Sequence, residues 1–182
     1  MQMVSAAKLK KVQERLLAIR PYADRIVRFM AAVSERSGGD LRHPLLEPRE
    51  NVRRVGAVVI MADKGLCGSY NANLYRYAQK FLADLGRPAR ITPIGRKAVE
   101  ACRRAGGDVG ESYQQIGTGV TFADIRRMAQ PLVQSFLSGE VDEVYLLFTR
   151  YVNAITFRPG HVKFLPVTPE TGAKGGAAAV GW

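Results

Sequence analysis

The sequence predicts an α/β protein: one small domain with a mostly parallel sheet and an antiparallel edge, preceded by a long N-terminal coiled-coil helix. Three observations predict it. Residues 1 to about 37 carry no glycine and set Leu9, Val12, Leu16, Ile19, Ala23, Ile26, Met30 and Val33 at alternating spacings of three and four, the apolar seam of a heptad repeat. From residue 55 onward apolar runs alternate with stretches of helical period. Near the other end, "EVYLLFTRYVNAITFRPGHVKFLPV" reads as strands joined by hairpins.

Taken in order, the first element is residues 1–37, one helix of a coiled coil. At 1.5 Å per residue such a helix runs ~50 Å, longer than a domain of this size needs, so it is expected to project. Pro21 falls near the face opposite the seam, where a kink leaves the apolar stripe intact. Burying that stripe is worth on the order of 10 kcal/mol, but only beneath a second helix, which the sequence does not plainly supply. Residues 38–54 have the glycine, proline and charge content of a linker. The domain proper spans residues 55–168. In it "VGAVVIM" reads as a buried strand, residues 71–85 as a helix, "ARITPIG" as a second strand and residues 96–105 as a second helix. Thr121 with Asp124 three residues later marks the start of a third helix, and Gly139 its stop. In the last apolar stretch "VN" and "RPGH" are the predicted turns. The sum is a small Rossmann-like domain. Residues 169–182, "PETGAKGGAAAVGW", form a small-residue linker without a core of its own, and a chain that ends just after it reads as interrupted.

Composition narrows the function. A chain of 182 residues, 47% hydrophobic, can bury one sizeable core. No apolar run approaches the ~20 residues of a membrane helix, and the N-terminus does not read as a signal peptide. A cytosolic or membrane-peripheral protein is expected. Cys67 and Cys102 are too few and too far apart for a disulfide framework or a CxxC pair. The formal net charge of +11 points to an acidic partner: nucleic acid, an anionic membrane face or a negative protein surface.

"MADKGLCGSYNAN", residues 61–73, raises the question of a nucleotide, because a strand, a glycine turn and a helix are how many phosphate sites are built. A P-loop ends in Gly-Lys-Ser/Thr and a dinucleotide fingerprint is GxGxxG; neither is present. Gly65 and Gly68 supply the tight turn, and Asp63 places a negative charge beside the position a phosphate would take. No cofactor is expected. Cys67 near a helix start is either a reactive thiol or a small packed turn residue. Gly95, Arg96 and Lys97 at the next strand-to-helix turn either grip an anion or are solvated helix-start charges. His43 and His161 have no carboxylate or cysteine at metal spacing, so no metal is expected. GxSxG and HExxH are absent, and no catalytic residue is assigned. Lys8, Lys10, Lys11, Arg15, Arg20, Arg25 and Arg28 could track nucleic-acid phosphates, yet the exposed face of a coiled coil has the same composition and no aromatics interleave. Two rival functions thus stand beside a structural one: an anion- or nucleotide-binding α/β protein, and a basic nucleic-acid-binding module.

"MQMVSAAKLKKVQERLLAIRPYA", "IMADKGLCGSYNANL", "GRKAVEACRRAG" and "LLFTRYVNAITFRP" resemble, in the same order, segments of the gamma subunit family of F-type ATP synthases. The resemblance covers nearly the whole chain. It implies a rotor shaft of two antiparallel helices, one from each end of the chain, reaching into a ring of α and β subunits (three of each), with a small α/β domain below. The implied partners are those subunits, the ε subunit and the membrane c-ring, with no nucleic acid and no small-molecule substrate. Such a subunit is not an enzyme in itself; it couples proton flow to ATP synthesis or hydrolysis in the ring, from a peripheral position on the cytoplasmic face of a bacterial inner membrane. The family's helix motif matches at Met3, Val4, Ala6, Ala7, Lys8 and Leu9, on the shaft where it meets the ring. Its turn motif matches at Asp63, Gly65, Leu66, Cys67, Gly68 and Asn71, with Lys64 where arginine is more usual. The resemblance places that turn near the ε subunit and the membrane ring. It also implies that family members begin before Met1 and continue past Trp182 into a second long helix, so a fragment is expected.

Overall fold

The computed structural model describes residues 43–117, 119–153 and 156–167, together with single positions 10, 13, 14, 18, 21 and 25. The chain divides into two compact units: residues 42–168, and residues 1–41 with 169–182. In the second of these the six described positions are helical. Lys10, Glu14, Ala18, Pro21 and Arg25 are exposed at spacings of three and four, and Lys10 and Glu14 lie one turn apart as an ion pair of 4.0 Å. The seam residues from Leu9 to Val33, and with them the predicted coiled coil, lie outside the described residues.

Residues 42–168 build a five-stranded sheet. Its elements run β1 (Val55–Ile60), α1 (Tyr70–Leu85), β2 (Ala89–Ile94), α2 (Arg96–Ala105), β3 (Asp108–Val109), α3 (Phe122–Leu137), β4 (Glu143–Tyr151) and β5 (Phe157–Leu165). The strand order is β3-β2-β1-β4-β5. β1 pairs parallel with β2 from Val55↔Ala89 to Ile60↔Ile94 and with β4 from Val55↔Glu143 to Val59↔Leu147, while β5 runs antiparallel to β4. The mostly parallel sheet with an antiparallel edge is therefore present. The winding reverses between β1 and β4, which makes the turn after β1 part of the sheet's switch point.

β1 is apolar throughout because both of its faces are covered. Val55, Ala57 and Val59 pack with Leu74 and Ala78 of α1 and Ala98 of α2. Val58 turns the other way, onto a cluster that holds Phe136 of α3, Val141, Val144 and Leu165. Period-two alternation thus feeds two cores from one strand.

The helix ends follow local chemistry. α1 stops at Gly86, left-handed with φ 61°, whose N–H bonds the Ala83 carbonyl. α3 opens on the expected capping box: Asp124 N–H donates to Thr121 Oγ1 at 3.3 Å, and Thr121 N–H to Asp124 Oδ2 at 3.0 Å. Before β1 the chain is tied down by Asp142, a buried carboxylate that accepts the backbone N–H groups of Arg53 at 2.8 Å and Arg54 at 3.1 Å.

One expectation needs correction, and one element was not foreseen. "RPGH" is no turn: Arg158, Pro159, Gly160 and His161 lie within β5, paired with β4 from Arg150↔Arg158 to Leu147↔His161. An edge strand tolerates a residue without an N–H, so proline here does not end the ladder. The short strand β3 carries no apolar alternation and leaves no periodic signal in the sequence.

Candidate functional site: the turn after the first strand

Residues 61–69 leave β1 at the switch point and enter α1. Asn71, in the first turn of α1, braces both arms of this loop. Its Oδ1 accepts the Ala62 N–H at 3.0 Å, and its Nδ2 donates to Cys67 Sγ at 3.0 Å. The Cys67 carbonyl accepts the Tyr70 N–H at 3.3 Å, which closes the turn. Leu66 and Gly68 adopt left-handed backbone at φ 58°. Gly68 takes that geometry without cost; Leu66 does not. The Leu66 side chain is fully exposed, so the loop ends in an apolar tip in water.

The base of the loop is fixed by Asp63. Its Oδ1 accepts the backbone N–H groups of Arg96 and Gln115, each at 2.9 Å, and its carbonyl accepts Arg96 Nε at 2.9 Å. Asp63 therefore takes the N-terminal position of α2, where a carboxylate is favoured by the helix dipole. Gly95 precedes that helix at φ 94°, and a Cβ there would stand 2.1 Å from the Met61 carbonyl oxygen. Only glycine lets the two loops approach this closely.

This geometry answers the phosphate question in chemical terms. The N–H groups that an incoming anion would use at the second strand-to-helix turn are already taken, that of Arg96 by the Asp63 carboxylate, that of Lys97 by the Ala62 carbonyl at 3.1 Å and that of Gly95 by the Tyr113 carbonyl at 2.7 Å, and Lys97 Nζ donates to Glu100 at 2.7 Å. Arg96 serves an internal carboxylate and Lys97 a neighbour on its own helix. Both cysteines are free; Cys67 is exposed and Cys102 buried. Among the described residues no group of three His, Cys, Asp or Glu side chains could hold a metal ion.

Two other regions carry polar chemistry. A cavity of about 310 Å³ between α3 and β2 is lined by Arg90, Thr92, Tyr113, Pro131, Ser135 and Glu140 among others. Its donors are paired: Arg90 with Glu140, and Ser135 with the Leu132 carbonyl at 3.0 Å. Tyr113 donates to Glu111 at 2.5 Å, and burial together with that carboxylate pushes its phenol up to about 12. On the opposite face His161 packs between α1 and the sheet. Its ring lies 4.1 Å from that of Phe81, and Nδ1 shares a hydrogen with Tyr77 Oη at 2.6 Å. Burial, and then the charge of Arg150, hold the imidazole below its usual range.

Of the residues marked in the sequence, Asp63, Lys64, Gly65, Leu66, Cys67, Gly68 and Asn71 share this one loop and helix start. Met3, Val4, Lys8 and Leu9 lie outside the described residues. Sequence reasoning missed Arg96 and Gln115 as the anchors of Asp63. They stand 33 and 52 residues away, and no local spacing carries that information.

Against known proteins, residues 1–180 match the family model described as ATP synthase. The ATP synthase gamma chain of Desulforamulus reducens is 42% identical over 176 residues, 97% of this chain and 61% of its own length. That of Desulfitobacterium hafniense is 38% identical over 167 residues, 92% of this chain and 59% of its own. The chain thus spans about three fifths of the length of these curated relatives. Among solved structures, a chain in the central stalk/c-ring of Tetrahymena thermophila mitochondrial ATP synthase is similar at a TM-score of 0.71. The identity is 26%, covering 90% of this chain and 70% of that one. No described helix is long and apolar enough to cross a membrane.

Proposed function

This chain belongs to the ATP synthase family, where the relatives it resembles are gamma chains, and from that membership we propose that it acts as a central-stalk rotor subunit. The family match across residues 1–180 carries the reading. In it residues 1–37 supply one helix of the shaft, residues 38–54 a linker, residues 55–168 the globular domain, and residues 169–182 the link toward a second helix. The heptad seam supports the shaft, since a stripe of eight apolar positions is stable only against a partner helix. Met3, Val4, Lys8 and Leu9 then belong to the end of the shaft that meets the ring.

The subunit is non-catalytic in this reading. Proton flow turns the membrane ring, the globular domain turns with it, and the shaft presents a different face to each β subunit in turn. Nucleotide affinity at each β site follows shaft angle, a coupling of distant sites through discrete states. The loop from Asp63 to Asn71 is a partner contact: Asp63 and Asn71 make it rigid, and Leu66 and Cys67 form the part that touches. Its exposed apolar tip in left-handed backbone supports that role, because the fold itself gains no burial from it. The α, β and ε subunits and the c-ring are the proposed partners, and the proposed location is peripheral, at the cytoplasmic face of the membrane.

The exposed thiol gives a direct test. A photoactivatable maleimide attached at Cys67 before assembly should, on illumination of the ATP synthase complex, join this chain to a neighbouring subunit. Buried Cys102 should stay unlabelled in the folded chain. Illumination that leaves the labelled chain uncrosslinked within the complex would refute the loop as a contact.

A further inference from the structure

Arg150 and Arg158 stand directly opposite each other in the β4–β5 ladder. Like charges in that position destabilise a hairpin, and among the described residues neither arginine has a carboxylate partner to relieve it. Arg150 is half-buried. Its Nε is shielded from solvent with no acceptor, and its guanidinium makes one long hydrogen bond, 3.5 Å from Nη2 to the His161 carbonyl. Gly160, the diagonal neighbour on β5, leaves the room for this arrangement: a Cβ there would meet Arg150 Nε at 3.1 Å and Cζ at 3.4 Å. The guanidinium is thus laid along the edge strand with its Nε unmet.

A desolvated Nε without an acceptor costs stability, so the fold gains little from this pose alone, and a ligand would be met by the outer Nη groups. A planar guanidinium fork suits a carboxylate, which it binds bidentately. The exposed Arg158 supplies a second charge. Val152, exposed at 47%, stands at the same end of the hairpin and offers apolar surface near the charges. That mixture fits a side chain presented by a protein better than a small free anion.

We propose that Arg150 and Arg158 form an anion-binding site at the turn end of the β4–β5 hairpin, and that its ligand is a carboxylate side chain of another protein chain. The proposal rests on the assembly-subunit reading only for the source of that chain. Its test needs the 182-residue chain alone, so either can fail without the other.

The probe is a hexaglutamate peptide, followed by fluorescence anisotropy and by histidine NMR, which has only His43 and His161 to separate. Arg150→Gln should weaken peptide binding by about tenfold, Arg158→Gln by less, and the charge-matched Arg103→Gln should leave it unchanged. Peptide binding should also raise the titration midpoint of His161, because a bound carboxylate offsets the Arg150 charge that depresses it. If Arg150→Gln does not fold, Arg150→Lys replaces it, since it keeps the charge and the stem but lacks the planar fork, and it should still weaken binding several-fold. Equal losses in Arg150→Gln and Arg103→Gln, an unmoved His161, or displacement of the peptide by inorganic phosphate at lower concentration would each overturn the proposal.

Discussion

Replacing Asp142 with alanine should unfasten the strap that leads into β1. The carboxylate is buried and accepts two backbone N–H groups, at 2.8 and 3.1 Å, with Arg49 Nε 3.8 Å from its second oxygen. Hydrogen bonds to a charged group are worth about 1.5–3 kcal/mol each, so the two together come to about 3–6 kcal/mol. The Arg49 contribution is discounted because that side chain is 36% exposed. Removing the carboxylate also returns its desolvation cost, which offsets part of the loss. The net expectation is a loss of about 3 kcal/mol, read as a lower urea midpoint at pH 7 with unchanged slope. Burial raises the Asp142 pKa, but the N–H groups of Arg53 and Arg54 and the nearby arginine charges outweigh it and hold the carboxyl below its usual range. Its contribution is therefore fully present above the unfolded carboxylate value of about 3.9 and disappears as pH falls through the lower folded value. The gap between wild type and Asp142→Ala should close over that acidic window. A loss under about 1 kcal/mol at neutral pH, or a gap that does not close, would refute this account of the strap.

Three further outcomes are expected. His161 titrates below its usual range in the folded chain, so its unfolded state binds the proton first; stability should fall as pH drops from about 6.5 toward the folded value, and His161→Gln should remove that component of the slope in urea titrations. Gly95→Ala drives a methyl into the Met61 carbonyl at φ 94° and should cost about 3 kcal/mol or prevent folding, by circular dichroism and thermal melting. Leu66→Gly releases a left-handed, fully exposed residue and should raise stability by about 1 kcal/mol, while weakening the proposed partner contact in the crosslinking assay.

What was legible in the sequence is what local chemistry decides. β1 is buried on both faces, so its apolar run is continuous and reads at sight. α2 has the bounds that glycines on either side impose, and α3 begins at the capping box that Thr121 and Asp124 spell out. The β5 edge strand was misread because proline and glycine are turn residues by frequency. Here Pro159 sits on an edge, and Gly160 makes space for a side chain from β4. The candidate loop was legible as a motif and only partly as a mechanism. Asn71 bracing the turn is within reach of local reasoning. The bonds that Arg96 and Gln115 donate to Asp63, and the unmet Nε of Arg150, exist only once distant strands are side by side.

The central claim is that this chain is a rotor subunit of ATP synthase. Its most direct test is to solubilise membranes of the source cells in mild detergent, capture the native protein with an antibody to this chain, and assay the captured material for ATPase activity and subunit content. The account predicts that ATPase activity leaves the supernatant with the antibody and that α, β and c-ring subunits are recovered alongside. ATPase activity that stays wholly in the supernatant while this chain is captured without those subunits would contradict it.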